Sequence, residues 1–164
     1  MPKANLTTAG VWRHPVHFLA FGLGAGLMPV APGTFGTLVA LPLYYFLQGL
    51  ASVWYLLVLA GMFVVGIALC ARTARDLQTP DHSGIVWDEI VGYLVSMFMA
   101  PAGWVWMLLG FLLFRLFDIW KPFPIRWLDR HVHGGLGIML DDAAAGVAAA
   151  LVLQGSYWAW TLNS

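Results

Sequence analysis

The sequence predicts an all-α integral membrane protein, a single helical domain over residues 1–164. Hydrophobic residues make up 60% of the chain and charged residues only 10%, which is far from the composition of a soluble domain. Three long segments contain no Asp, Glu, Lys or Arg: residues 14–71, 90–114 and 143–164. This separation of charge is typical of helices that lie in lipid. The net charge of zero gives no indication of a nucleic-acid partner.

Two helices are predicted in the first charge-free segment. Residues 52–71 form the clearest membrane span, because about twenty residues at ~1.5 Å each cross a hydrocarbon core of ~30 Å. Residues 38–47 follow the broken stretch MPVAPGTFGT and predict a shorter helix, with the turn into the span at Gln48 and Gly49.

The second charge-free segment allows two topologies. Residues 90–114 could cross the membrane once, or they could turn at Ala100–Gly103 and return as a hairpin with legs at residues 85–99 and 103–118. The hairpin is favoured because it places the acidic pairs near one surface. It also gathers the basic residues on one face, expected to be cytoplasmic: Arg72, Arg75, Arg115, Lys121, Arg126 and Arg130.

Two pairs of adjacent acids border apolar segments. Asp88 and Glu89 lie in VWDEIVG, and Asp141 and Asp142 lie in LDDA. An ionised carboxylate in hydrocarbon is costly, so these acids require partners. One reading is that the second pair caps a helix beginning near Leu140. The other is a Mg²⁺ site built from both pairs, since this ion prefers oxygen ligands. Each pair is followed by a glycine on its helical face, Gly92 or Gly146, which would let another helix approach closely.

The stretch FRLFDIWKPFPIRW carries basic residues close to these acids. Arg115 and Asp118 are three residues apart on one helical face, and Lys121 ends the helix before Pro122. Taken alone they could be an ion pair and a membrane-surface anchor. Beside a carboxylate metal site, however, such cations are what binding of a phosphate group requires.

Two weaker signals concern anion binding. In APGTFGT, Thr34 or Thr37 could cap the following helix, whose first turn would expose N–H groups to an anion, although a simple break between helices would look the same. Among the histidines, His82 is the one expected to contact substrate. Zinc binding by histidines is not favoured, because His131 and His133 have a poor spacing and no cysteine pair supports them.

Four motifs in order resemble the phosphatidylglycerophosphatase A family of Gram-negative bacteria: APGTFGT, DHSGIVWDEIVG, FRLFDIWKPFPI and GGLGIMLDDAAAG. The resemblance extends from about His14 to about Val152. It implies a Mg²⁺-dependent phosphatase of the inner membrane, with its site facing the cytoplasm, that converts phosphatidylglycerophosphate to phosphatidylglycerol and inorganic phosphate. It also implies a bundle in which one central helix is ringed by others. The oligomeric state stays open.

The resulting hypothesis assigns roles to ten residues. The metal ligands and catalytic acids are expected to be Asp88, Glu89, Asp141 and Asp142, and the phosphate-binding residues to be Thr34, Thr37, His82, Arg115, Asp118 and Lys121. Attack by water with a carboxylate as base, or by a carboxylate that forms an aspartyl-phosphate, are both open. The alternatives are an enzyme like the CDP-alcohol phosphatidyltransferases, whose Asp-Gly-x2-Ala-Arg motif is missing, and a non-catalytic transport or scaffold protein.

Overall fold

The computed structural model describes residues 8–80 and 82–163, and every regular element within them is helical. Two short helices, α1 and α2, and a 3₁₀-helix precede six further α-helices. Their bounds are α1 Thr8–Arg13, α2 Pro15–Ala20, the 3₁₀-helix Gly22–Leu27, α3 Pro32–Leu47, α4 Ser52–Asp76, α5 Trp87–Ser96, α6 Trp104–Trp120, α7 Ile125–His131 and α8 Gly134–Leu162.

Helix α5 is the centre of the bundle. Seven of its ten residues are buried, and it packs against α3, α4, α6 and α8. Two buried tyrosines fix its neighbours, since Tyr55 Oη of α4 donates to Leu94 O at 2.7 Å and Tyr93 Oη donates to Met107 O of α6 at 3.1 Å. The arrangement of one central helix with others around it is the one that the sequence resemblance implies.

Glycines bring α5 and α8 into close contact. A Cβ atom at Gly146 would overlap the carbonyl oxygen of Gly92, and one at Gly92 would lie 2.8 Å from the carbonyl oxygen of Asp142. The close approach expected from these glycines is therefore present. It places the acids at the start of α5 beside those of α8.

Helices α5 and α6 form a hairpin with its turn at residues 97–103. The helical legs differ from the expected bounds of 85–99 and 103–118. Helix α5 ends at Ser96, because Met97 leaves the helical conformation, whereas α6 continues to Trp120 and ends where Lys121 adopts a left-handed conformation with φ of 45°. The first turn of α5 and the last turns of α6 consequently lie at the same end of the bundle.

Two helix starts differ from the sequence prediction. Helix α3 begins at Pro32, a residue well suited to a first helical position, so that Thr34 and Thr37 lie inside the helix and neither caps it. Helix α8 begins at Gly134, with His133 in the N-cap position. Asp141 and Asp142 therefore lie two turns inside α8, and the reading of these acids as caps is wrong.

Two helices, α4 and α8, are long and apolar enough to cross a membrane. Large apolar side chains on the outer faces of α4, α6 and α8 are exposed, among them Val53, Trp54, Val64, Trp104, Ile119, Leu151 and Trp158. So many exposed large apolar side chains are typical of a surface in contact with lipid or another protein. The chain is thus an all-helical protein whose outer surface suits association with a membrane.

Candidate active site

A polar cleft of about 380 Å³ opens at the end of the bundle where α3 and α5 begin and α6 ends. The first turns of α8 close it on the remaining side. Among the residues that the structure describes, six acids and two basic residues line it: Asp88, Glu89, Asp118, Asp129, Asp141, Asp142, Arg115 and Lys121. The hairpin and the glycine contact between α5 and α8 account for this convergence, because they bring residues far apart in the chain to one end of the molecule.

Asp88, Glu89 and Asp142 form a group that we call the three-carboxylate group. Each of them offers one oxygen atom, and these oxygens lie within 4.8 Å of one another. Asp88 and Glu89 occupy the first turn of α5, where the helix dipole favours negative charge. Asp142 reaches the same point from α8.

Several oxygens of the three-carboxylate group are buried without a hydrogen-bond partner. These are Asp88 Oδ1, Glu89 Oε2 and Asp142 Oδ2. Leaving charged groups buried and unpaired is strongly unfavourable, so the geometry calls for a cation. Oxygen atoms alone make up the donor set, which fits a hard divalent ion such as Mg²⁺.

Arg115 faces the three-carboxylate group from α6. Its Nη1 donates to Asp118 Oδ2 at 2.5 Å and lies 3.9 Å from Glu89 Oε1. Its buried Nε has no partner and remains available as a donor. The carboxylate of Asp118 accepts the hydrogen bond from Nη1 and fixes the position of the Arg115 guanidinium group, while the expected contact of Asp118 with phosphate stays a prediction.

Lys121 provides the second cation of the cleft. Its Nζ donates to Asp129 Oδ1 at 2.7 Å and to Asp141 Oδ2 at 2.5 Å. Burial by itself lowers the pKa of Lys121, but these hydrogen bonds outweigh it and the pKa is raised above its usual value. The lysine is therefore charged at neutral pH.

The same contact changes the role expected for Asp141. This residue is not part of the three-carboxylate group, because one of its oxygens is bound to Lys121. Adjacent residues on a helix point about a hundred degrees apart, which directs Asp142 toward the acids of α5 and Asp141 toward the lysine. The expectation that both acids ligate one metal is thus not supported by the geometry.

Asp129 is a residue of the cleft that sequence reasoning missed. It lies on α7 and reaches Lys121 across the corner between α6 and α7. In the sequence it stands next to Arg130, where it looks like part of a solvated charged surface. The eight-residue separation between Lys121 and Asp129 is not a helical spacing, so the sequence offered no signal for the pair.

The APGTFGT stretch reaches the cleft through its main chain. Ala31, Pro32 and Gly33 line the cleft, whereas Thr34 and Thr37 are not among the described lining residues. The Thr37 hydroxyl is buried and donates to Gly33 O at 2.8 Å. A Cβ atom at Gly33 would overlap Glu89 Oε1 and lie 3.1 Å from Arg115 Nη1, so only glycine allows this approach. The assignment of the two threonine hydroxyls to phosphate is therefore not supported.

His82 lies in an adjacent cavity rather than in the cleft. It lines that cavity together with Phe21 and Leu27, and its Nδ1 accepts a hydrogen bond from the Gly84 N–H at 3.0 Å. Ser83, next in the chain, borders both spaces. His133, which the sequence analysis considered only as a disfavoured zinc ligand, lines the cleft. The described residues that line the cleft do not include His82, and its contact with substrate stays a prediction.

The fold and the cleft define a class of protein: a helical, membrane-associated enzyme whose acids suit a divalent cation and whose paired cations suit a phosphate group. The comparisons with known proteins agree with this class. The family model for phosphatidylglycerophosphatase A matches residues 18–157, and the chain belongs to this family.

Three relatives illustrate the similarity. The phosphatidylglycerophosphatase A of Escherichia coli K12 is 46% identical over 95% of this chain and 90% of its own. The protein of the same name from Haemophilus influenzae is 43% identical over 88% of this chain and 91% of its own. A Bacteroides thetaiotaomicron protein, provisionally named a phosphatidylinositol-3-phosphatase, is 34% identical over 84% of this chain and 90% of its own. No solved structure matches the chain.

Membership of a phosphatase family decides between the activities that the sequence left open. The chain is an enzyme, and neither the phosphatidyltransferase nor the non-catalytic transport or scaffold protein is supported.

Proposed function

We propose that the protein hydrolyses the terminal phosphomonoester of phosphatidylglycerophosphate, with Mg²⁺ as its cofactor, to give phosphatidylglycerol and inorganic phosphate for phospholipid synthesis. The observation that carries this proposal is the three-carboxylate group with its unpartnered oxygens, opposed by Arg115 and Lys121. It is supported by the 46% identity to an enzyme of that name.

The three-carboxylate group is the proposed holder of the cation. When bound there, Mg²⁺ would neutralise charge on the phosphoryl oxygens as the bond to the leaving oxygen breaks. Asp88 and Glu89 would hold the ion from α5, and Asp142 would hold it from α8. The two helices that meet at Gly92 and Gly146 would thus both contribute metal ligands.

The cations of the cleft bind the phosphate group. Arg115 is fixed by Asp118 and keeps its Nε free of protein partners, while Lys121 is fixed between Asp129 and Asp141. The first turn of α3 adds the main-chain N–H of Gly33, which lacks an acceptor within the helix. Together these groups stabilise the charge that accumulates on phosphorus oxygens in the transition state.

The chemical step is hydrolysis of a phosphate ester. A water oxygen forms the new bond to phosphorus, the bond from phosphorus to the glycerol oxygen breaks, and that oxygen takes up a proton. Asp141 Oδ1 is buried, has no partner and lies outside the three-carboxylate group, so we assign it as the acceptor of the water proton.

Release of inorganic phosphate by the purified protein tests the proposal. We expect hydrolysis of phosphatidylglycerophosphate in the presence of Mg²⁺, loss of activity with a chelator and recovery when Mg²⁺ is added back. Phosphatidylinositol 3-phosphate belongs in the substrate panel because one relative carries that name. Faster hydrolysis of this lipid, or full activity in the chelator, would contradict the proposal.

We further propose an integral membrane bundle with the cleft at the cytoplasmic surface. The charge-free parts of α4 and α8 run from the cleft end to the opposite end. Six basic residues lie in the last two turns of α4 and α6 or follow α6: Arg72, Arg75, Arg115, Lys121, Arg126 and Arg130. An excess of Arg and Lys marks the cytoplasmic side of bacterial membrane proteins.

Cysteine labelling in intact cells checks this topology. In a Cys70→Ala background, Arg75→Cys and Arg130→Cys should both be protected from an impermeant thiol reagent, and Trp158→Cys at the far end of α8 should react. The substituted side chains are exposed, so burial in the protein does not limit labelling. Reaction at positions 75 and 130 from opposite sides would refute the shared cytoplasmic face.

A further inference from the structure

A second pocket lies on the outer side of the corner between α6 and α7. It has a volume of about 380 Å³ and is lined by two arginines, a histidine and three aromatic residues: Arg126, Arg130, His131, Trp120, Phe123 and Trp127. None of the described residues that line it is acidic. The phosphate-binding cations of the catalytic cleft, Arg115 and Lys121, do not take part in it.

Helix α7 separates its charges between this pocket and the cleft. Residues four apart share a helical face, and Ile125 and Asp129 form the inner face, with Ile125 buried and Asp129 bound to Lys121. Arg126 and Arg130 form the adjacent face and line the outer pocket. The acid of α7 is thus used in the cleft, and both arginines are left facing outward.

The pocket is held in shape by contacts of its own. Arg126 Nη2 donates to Trp120 O at 3.1 Å, which connects α7 to the end of α6. The His131 ring stacks on Trp127 with ring centroids 4.7 Å apart, and its Nδ1 lies 2.8 Å from Trp127 O. The aromatic rings are therefore positioned rather than free, while Phe123 remains 85% exposed at the rim.

Arginines beside exposed aromatic rings match one environment, the headgroup layer of an anionic bilayer. Trp rings prefer this layer because one part is apolar and the N–H is polar, and Arg binds phosphate oxygens through its planar fork. Basic residues near an anionic lipid surface are attracted to it. Charge complementarity thus identifies a phospholipid phosphate as the occupant.

The outer pocket lies next to the cleft. Lys121 lines the cleft, and its chain neighbours Trp120 and Pro122 line the outer pocket. A lipid that presents a terminal phosphomonoester to the cleft also carries a phosphodiester on the far side of its glycerol headgroup. The outer pocket offers two arginines, next to Lys121, for that second phosphate.

We propose that the outer pocket binds the phosphodiester of an anionic glycerophospholipid within the bilayer, with Arg126 and Arg130 on the phosphate and Trp120, Phe123 and Trp127 beside the glycerol backbone and upper acyl chains. This site would retain substrate and product at the lip of the cleft. This proposal rests on the proposed function in one respect, which is the identity of the lipid whose headgroup extends into the cleft.

Lipid retention by the purified protein tests the proposal without turnover. The protein is reconstituted without Mg²⁺ in mixed vesicles of phosphatidylglycerol and phosphatidylcholine, released into detergent and analysed for bound lipid by native mass spectrometry. The wild type should retain phosphatidylglycerol in preference to phosphatidylcholine. Arg126→Gln with Arg130→Gln should reduce this preference about tenfold, since two phosphate contacts are lost.

Two matched variants make the result specific. Arg75→Gln removes an exposed arginine from α4, outside the pocket, and should leave the preference within about twofold of the wild type. Arg126→Lys with Arg130→Lys keeps the charge and should retain most of the preference. Unchanged preference in the double Gln variant, or an equal loss in the Arg75 variant, would overturn the proposal in favour of general attraction to anionic lipid.

This experiment separates the two proposals. It uses the product lipid without Mg²⁺, so a protein that failed to hydrolyse phosphatidylglycerophosphate could still show the preference. Conversely, an active enzyme without the preference would refute the pocket alone.

Discussion

Asp142→Asn is expected to reduce phosphate release from phosphatidylglycerophosphate by roughly three orders of magnitude. Asn keeps the shape of the side chain but removes the charge that the three-carboxylate group contributes from α8. The substitution leaves the helix intact, because Asp142 lies two turns inside α8 and caps nothing. Expression, membrane insertion and helical content should therefore match the wild type, and the Mg²⁺ concentration for half-maximal activity should rise.

A suitable control is Asp76→Asn on α4. Asp76 pairs with Arg72 at the same end of the bundle but lies outside the cleft, so its loss should leave the Mg²⁺ requirement unchanged. Asp129, which the sequence places outside the acidic cluster, cannot serve as a control because it binds Lys121. Near-normal rates of Asp142→Asn at low Mg²⁺ would show that the acids are structural.

Arg115→Lys should lower kcat/KM by roughly two orders of magnitude even though the charge is kept. The planar guanidinium contacts Asp118 through Nη1 and has Nε as a second donor at a fixed distance and direction, a geometry that the ammonium group of lysine does not reproduce. The steady-state rate over a range of substrate concentrations, measured at saturating Mg²⁺, checks this expectation.

The same substitution at Arg75 provides the comparison, since Arg75 is exposed on α4 and should tolerate lysine with little effect. A large fall in kcat for Arg115→Lys would indicate contact with the transition state. If instead KM alone rose, and rose equally in the Arg75 variant, Arg115 would act only by attracting anionic lipid.

The proximity of the acids of α5 to those of α8 could be predicted, because it follows from residues that interrupt helices and from the distribution of charge. Pro101 and Gly103 mark the turn of the hairpin, and the glycines four residues after Asp88 and Asp142 mark the contact between α5 and α8. Both signals are local in the sequence. Burial of Asp88 and Asp142 then follows from the close approach of their helices.

The expectations that differ from the structure concern residues whose contacts depend on the direction of the side chain, and not only on which residues are near in the sequence. Asp141 and Asp142 are adjacent, yet the helix turns one toward Lys121 and the other toward Glu89. Thr37 does not cap α3, because the helix begins earlier than expected and the buried Thr37 hydroxyl donates to Gly33 O. Side-chain direction depends on where a helix begins and on what packs against it, and neither is fixed by composition.

The charge balance of the cleft has a consequence for the order in which ligands enter. The described residues that line it include six acids and two cations, and a phosphate monoester brings further negative charge. With its acids ionised, the empty cleft therefore repels the headgroup that it is built to hold. Arg115 and Lys121 are already paired with acids and cannot offset this repulsion alone. If the three-carboxylate group holds the proposed divalent cation, that cation would bind first and the lipid second, because the charge of the cation removes this repulsion. Initial rates should then fit a compulsory-order scheme rather than a random one.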